Sequence, residues 1–252
     1  MKTGSGRFSG KTVLIVNAAG SIGLAAARLF HAESANVVMN DTRGEAIVQL
    51  AELLGDRAWA TNLDLLDAEA GPRLVNSVVD RFGSVDILVC NEGSSYGGNM
   101  EGITAEVWSQ VMERNLTTVF HALQGVYGQF RSRGRGSVVM VSSLAARTGC
   151  AGMIDYASSM GGVLGLMKSV SREWSRWGVT CSAVCPGPIA EGDQGLNSDL
   201  RSQYAQTQVE LASRNVTAEE VAKVILFLAS EDGRPINGQA INVDYGLHIY
   251  SF

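Results

Sequence analysis

Residues 136–170 read GSVVMVSSLAARTGCAGMIDYASSMGGVLGLMKSV. An apolar run, Val138 to Val141, stops at Ser142-Ser143. A glycine-broken loop follows, and a helical pattern opens at Tyr156. A continuous apolar run bounded by turn residues fits a strand buried on both faces. The stretch therefore predicts a buried strand that carries hydroxyls out of the core, and a helix that brings a phenol beside them.

The chain on either side repeats this unit. Apolar, β-type runs at 12–16, 37–39, 58–63, 85–90, 138–141, 179–184 and 240–243 alternate with helical patterns at 22–32, 45–54, 105–133, 156–177 and 218–229. A further helical segment holds Leu74, Val75, Val78 and Val79 on one face. Strands alternating with helices predict an α/β fold of the Rossmann type, a doubly wound parallel sheet with right-handed crossovers. No linker or internal repeat divides the chain, so residues 10–252 are expected to form a single domain after a flexible 1–9. Ligands in such sheets bind beyond the carboxyl ends of the strands.

Composition narrows the function classes. A net charge of −5 with no cluster of Lys or Arg disfavours nucleic acid. No apolar run reaches the ~18–20 residues of a membrane span. The polar first ten residues lack an apolar targeting core, so a cytoplasmic protein is expected. Cys90, Cys150, Cys181 and Cys185 are scattered and read as small buried apolar residues. His31, His121 and His248 are isolated, and no metal is expected.

The pair Ser143 and Tyr156, thirteen residues apart, resembles the active-site segment of the short-chain dehydrogenase/reductase family. The resemblance runs from Gly10 to Gly246 and includes the closing segment 237–244, NGQAINVD. It implies catalytic roles for Ser143, Tyr156 and Asn115, and a dinucleotide site holding Gly23, Asp41 and Asp64. Asp41 matches the ribose-binding acid of NAD-preferring members, and Asp64-Leu65 the pair that contacts adenine.

Six positions depart from the family pattern. The motif Tyr-x-x-x-Lys reads Tyr156-Ala-Ser-Ser-Met160, so the lysine that lowers the phenol's pKa is Met160. Tyrosine ionises near 10 and becomes a useful acid/base only when that value is pulled down. A loss of about 3 units would remove roughly 4 kcal/mol of help to the phenolate. The glycine-rich turn reads Val16-Asn17-Ala18-Ala19-Gly20-Ser21-Ile22-Gly23. Asn17 suits a left-handed turn. Ser21 puts a Cβ where backbone must approach phosphate, unless Gly20 compensates by a one-residue shift. The fourth strand ends Cys90-Asn91-Glu92-Gly93 in place of Asn-Asn-Ala-Gly, and Glu92 carries charge toward the dinucleotide's space. Glu191 replaces the threonine of Pro-Gly-Pro-Ile-x-Thr.

Three functions follow as expectations. The first is a catalytically silent subunit that binds no cofactor itself, or only weakly. Its NAD would sit in an active paralogue, the two forming a heterotetramer or similar oligomer. The family includes such two-subunit dehydrogenases, among them one that oxidises 2-[hydroxy(phenyl)methyl]succinyl-CoA in anaerobic toluene degradation. The second is an active NAD(P)-dependent oxidoreductase with an altered site. The third is a cofactor-free dehydratase, isomerase or cyclase using Tyr156 and Ser143 with a carboxylate such as Glu92, Glu191 or Asp155. Its mark is a shifted carboxylate pKa in a formed pocket. Gly161, Gly162 and Gly165 in the Tyr156 helix fit either a subunit interface or packing within the chain.

Overall fold

The computed structural model describes residues 6–190 and 215–250. Seven strands form one sheet in the order β3-β2-β1-β4-β5-β6-β7, and every neighbouring pair is parallel. They are β1 (Thr12–Val16), β2 (Asn36–Asn40), β3 (Ala58–Thr61), β4 (Ile87–Cys90), β5 (Gly136–Val141), β6 (Val179–Pro186) and β7 (Ala240–Val243). The expected doubly wound fold is present. Strands β1, β4, β5 and β6 are buried at every residue, which is why their sequences run apolar without alternation.

Helices cover both faces. Helices α1 (Ser21–Ala32), α2 (Gly44–Leu54) and α8 (Ala218–Ala229) lie on one side. There Phe30, Ile47, Leu50, Val221 and Ile225 pack on Ile15, Val37 and Val139. Helices α3 (Ala70–Phe82), α5 (Thr118–Arg133) and α7 (Ile154–Trp174) lie on the other. There Leu74, Val126, Phe130, Val163 and Met167 pack on Leu14, Leu88 and Val138. Along α7 the buried hydrophobic residues fall at Tyr156, Met160, Val163, Met167, Val170 and Trp174, the spacing of one helical face.

Helices α3 and α5 meet backbone to backbone. A Cβ at Gly71 would stand 2.2 Å from the His121 carbonyl oxygen, and one at Gly125 would stand 2.6 Å from that of Gly71. Only glycine permits this crossing. The long helix expected over 105–133 is a composite: α4 (Ala105–Met112), one π-helical turn (Glu113–Thr117), then α5. The chain is tied down ahead of the boundary expected at Gly10. The Phe8 ring stacks edge-on against Phe30 at 4.8 Å, and Arg7 pairs with Glu33 at 3.1 Å.

The strand order reverses between β1 and β4, and the connections leaving their carboxyl ends run to helices on opposite faces of the sheet. At the opposite end of the sheet, the buried Asp86 carboxylate accepts from the Thr12 amide and from Arg133, both at 3.0 Å. Chemistry is thus left to the carboxyl side. No helix among the described residues is long and apolar enough to cross a membrane.

Candidate active site

A cavity of about 480 Å³ opens at the switch point, within the range of small-molecule sites. Its floor is the first turn of α1 and the ends of β2, β4, β5 and β6. Ser143 and Tyr156 both line it, as do Asn17, Ser21, Asp41, Asp64 and Glu92. The fold therefore collects most of the expected residues into one place. Gly23, Asn115 and Met160 lie behind that lining. Glu191 lies outside the described residues.

Asn17 adopts φ 53°, the left-handed turn expected of it. Its side-chain amide donates to the Asn91 carbonyl at 2.9 Å, and the Asn91 amide donates back to the Asn17 carbonyl at 3.0 Å. These reciprocal bonds clasp the ends of β1 and β4. Gly20 caps α1 with extended backbone and no side-chain cap, and the first helical bond runs from Leu24 to Gly20. The amides of Ser21, Ile22 and Gly23 thus lack helical acceptors at the positive end of the helix dipole, which suits an anion. Gly23 keeps the role its position implies. A Cβ there would lie 2.5 Å from the Ala18 carbonyl oxygen.

Asp41 is engaged differently from the expectation. Its buried carboxylate accepts from the Ala19 amide at 2.9 Å and from the Arg43 amide at 2.8 Å. The Arg43 guanidinium adds two bonds at 3.1 Å and also donates to Asn17 at 2.9 Å. Asp41 thus organises the turn after β1, and Arg43 stands over the same corner. Arg43 escaped the sequence reading, although a cation two residues past a ribose-binding acid was visible there. Asp64 is exposed and accepts the Leu66 amide at 3.0 Å.

The tyrosine end is more tightly built. Ser143 accepts the Ala145 amide at 3.1 Å, so its hydroxyl proton faces the cavity without a described acceptor. Ser142 turns inward and donates to the Met160 carbonyl at 3.0 Å. The Tyr156 hydroxyl lies near Gly93, where a Cβ would approach it to 3.8 Å. Asn115, buried on the π turn, accepts the Ser94 amide at 2.8 Å. It donates to the Ser94 carbonyl at 2.7 Å and to the Ser159 hydroxyl at 2.9 Å. Asn115 therefore fixes the loop after β4 to the tyrosine helix. Met160 is fully buried and brings no charge to Tyr156.

Glu92 departs most from its expectation. Burial, reinforced by Asp41 and Asp64 against a partial offset from Arg43, pushes its carboxyl up to about 8. The carboxyl is thereby biased toward its neutral acid form, which lessens the charge anticipated against a dinucleotide. Cys90, Cys181 and Cys185 are buried as expected, whereas Cys150 is only partly covered, and burial raises Cys150 and Cys185 to about 11. No group of three or more His, Cys, Asp or Glu among the described residues could hold a metal.

The sequence profile of a family described as enoyl-(acyl carrier protein) reductase matches residues 17–248. The chain is 32% identical over 243 residues to the 3-oxoacyl-[acyl-carrier-protein] reductase FabG of Vibrio cholerae, covering 96% of this chain and 99% of that protein. This chain is a short-chain dehydrogenase/reductase. Among solved structures, levodione reductase superimposes with a TM-score of 0.89 at 26% identity, over 96% of this chain and 99% of that one. A 3-ketoacyl-(acyl-carrier-protein) reductase from Brucella melitensis, solved with NADH, shares the fold at a TM-score of 0.88 and 24% identity, over 95% of this chain and 99% of that one.

These relationships correct two expectations for this short-chain dehydrogenase/reductase. The silent subunit and the absence of a bound cofactor are both overturned. Its full-length relatives are named as reductases, and the family is one of NAD(P)-dependent oxidoreductases. The structure supplies the physical reason. Asn17 takes the turn that a glycine usually takes, the α1 amides remain presented, and the surroundings of Glu92 favour its neutral form. These features fit an anionic dinucleotide. The raised Glu92 is also the mark set for cofactor-free chemistry, but the same relatives speak for a redox role.

Proposed function

We propose that this chain is an active NAD(P)H-dependent reductase acting on a β-keto acyl thioester. One observation carries the reading: Ser143 and Tyr156 share a cavity with the open amino end of α1 in a chain whose curated relatives reduce 3-oxoacyl thioesters. The turn 20–22 would hold the pyrophosphate, Asp41 and Arg43 would border the adenosine ribose, and 64–65 would border adenine. When bound, the reduced nicotinamide supplies a hydride to the carbonyl carbon.

The protein's own groups handle the oxygen. Ser143, with its proton uncommitted, donates a hydrogen bond to the carbonyl and holds it in place. Tyr156 gives its phenolic proton to that oxygen as the alcohol forms. Asn115 touches neither reactant. It positions Ser94 and the tyrosine helix, so the cavity wall stays fixed while the proton moves. Because Met160 is uncharged, Tyr156 works as a neutral acid without the assistance of an ammonium.

The outer face of this side is open for assembly. Trp108 and Phe120 are exposed, and a Cβ at Gly161 or Gly165 would meet nothing within 4 Å among the described residues. Gly162 instead packs on Leu116, within 2.8 Å of the position its Cβ would take. We assign this face to contact with another chain of the same family, a second copy or an active paralogue. Light scattering of the purified chain, alone and co-expressed with a paralogue, tests that assignment.

The function is tested by calorimetric titration with NADH and NADPH, followed by coenzyme oxidation in the presence of acetoacetyl-CoA. Binding of at least one coenzyme and its substrate-dependent oxidation are expected. Failure of both coenzymes to bind refutes the reading.

A further inference from the structure

We propose that Glu92 enters the dinucleotide site as an uncharged hydrogen-bond donor, and that its ionisation expels the dinucleotide, so that coenzyme binding takes up a proton. The proposal rests on the dinucleotide reading above and assigns a role to a residue that no catalytic step uses.

The geometry begins with backbone placement. Glu92 follows β4 directly, and its neighbour Asn91 is clasped to Asn17 on β1. The clasp fixes the backbone from which the Glu92 side chain enters the cavity lining. Glu92 lines the cavity and has no hydrogen-bond or ion-pair partner among the described residues. A carboxylate left unpaired in such a place is costly.

The surrounding charges do not rescue it. Asp41 and Arg43 face it from the turn after β2, and Asp64 from the segment after β3. Among the described residues, Arg43 is the cation that favours its ionised form, and that guanidinium is already shared between Asp41 and Asn17. Arg114 of the π turn and Tyr156 of α7 line other parts of the same cavity, and the buried Cys90 thiol lies on the Glu92 side of β4. Two acids and one committed cation thus surround a carboxyl group at an anion site.

The two protonation states act oppositely on an anionic ligand. A neutral carboxylic acid offers an O–H donor, and a donor bonded to a charged acceptor forms a stronger bond than a neutral pair. A carboxylate offers only acceptors and repels the same ligand. Burial places the change of state near pH 8. Binding restricted to the neutral form then weakens about 30-fold between pH 6.5 and 9.5 by proton linkage.

The test is calorimetric titration of NADH into the intact protein across pH 6.5–9.5, repeated in two buffers of different ionisation heat. For the wild type we expect the ~30-fold weakening and uptake approaching one proton per dinucleotide at the alkaline end. Glu92→Gln, which keeps a donor, and Glu92→Ala, which removes the carboxyl, should each bind with an affinity that varies less than about 3-fold. A pH-independent wild type overturns the role of Glu92 while leaving the dinucleotide reading intact. The same decline in both variants does likewise, since another group would then be titrating. Absence of binding in the wild type and both variants at every pH overturns the dinucleotide reading and this proposal with it.

Discussion

Met160→Lys is the most informative single change. Met160 lies one helical turn beyond Tyr156, and both are buried on the same face of α7. Side chains so spaced are neighbours, with Cβ atoms ~5–6 Å apart. An ammonium about 5 Å from the phenolic oxygen favours the phenolate by roughly 3 kcal/mol at an effective dielectric near 20, a shift of about 2 units. With about half of that appearing in the transition state, the reductase rate at neutral pH should rise roughly tenfold. The cost falls on stability. Met160 is fully buried, and a buried ammonium carries a penalty of several kcal/mol before any pairing. The assay is kcat against pH with saturating coenzyme and acetoacetyl-CoA, with Met160→Gln as an uncharged control. The alkaline break of the profile should move down by about 2 units in the lysine variant and stay put in the glutamine variant. A folded, coenzyme-binding lysine variant whose break does not move would refute the assignment of Tyr156 as the proton donor.

Three further outcomes are expected. Gly23→Ala forces a methyl to within 2.5 Å of the Ala18 carbonyl oxygen, so urea unfolding should show a loss of about 1–3 kcal/mol. Asn115→Ala strands the Ser94 amide and carbonyl and should cost roughly 2–3 kcal/mol; kcat should fall while the Kd for NADH holds. Glu92→Gln should stabilise the coenzyme-free protein, and the sign follows from linkage. The carboxyl ionises near 4.5 in the unfolded chain but only near 8 in the fold, so unfolding releases its proton between those values. Wild-type stability therefore declines from pH 4.5 to 8 and levels off above. The stability advantage of the glutamine variant in urea unfolding should widen over that window, reaching at most about 5 kcal/mol. A constant advantage across pH 5–8 would count against it.

The sheet was legible because its strands are buried on both faces, and such strands advertise themselves as unbroken runs like 12–16 and 138–141. The site residues were legible as positions but not as states. Asn17 was read correctly because its left-handed conformation is a local property of one residue. The protonation of Glu92 was not legible because it depends on burial and then on Asp41, Arg43 and Asp64, which arrive from two other strand ends and cannot be placed by spacing. Asp41 was located, yet its commitment to Ala19 and Arg43 is a matter of side-chain direction, which a strand-end position leaves open. The π turn at 113–117 was invisible because its sequence carries the same apolar rhythm as the helices on either side.

That turn has a consequence beyond aiming Asn115. It holds one residue more than an α-helical turn would, and its width absorbs that residue so that α4 and α5 stay in phase. A single deletion within 113–117, relaxing the turn to a regular helix, would carry Asn115 away from Ser94 and Ser159. The helices on either side would keep their own faces. Loss of the supernumerary residue should therefore disable the inner wall while sparing the outer one, even where every named side chain is kept.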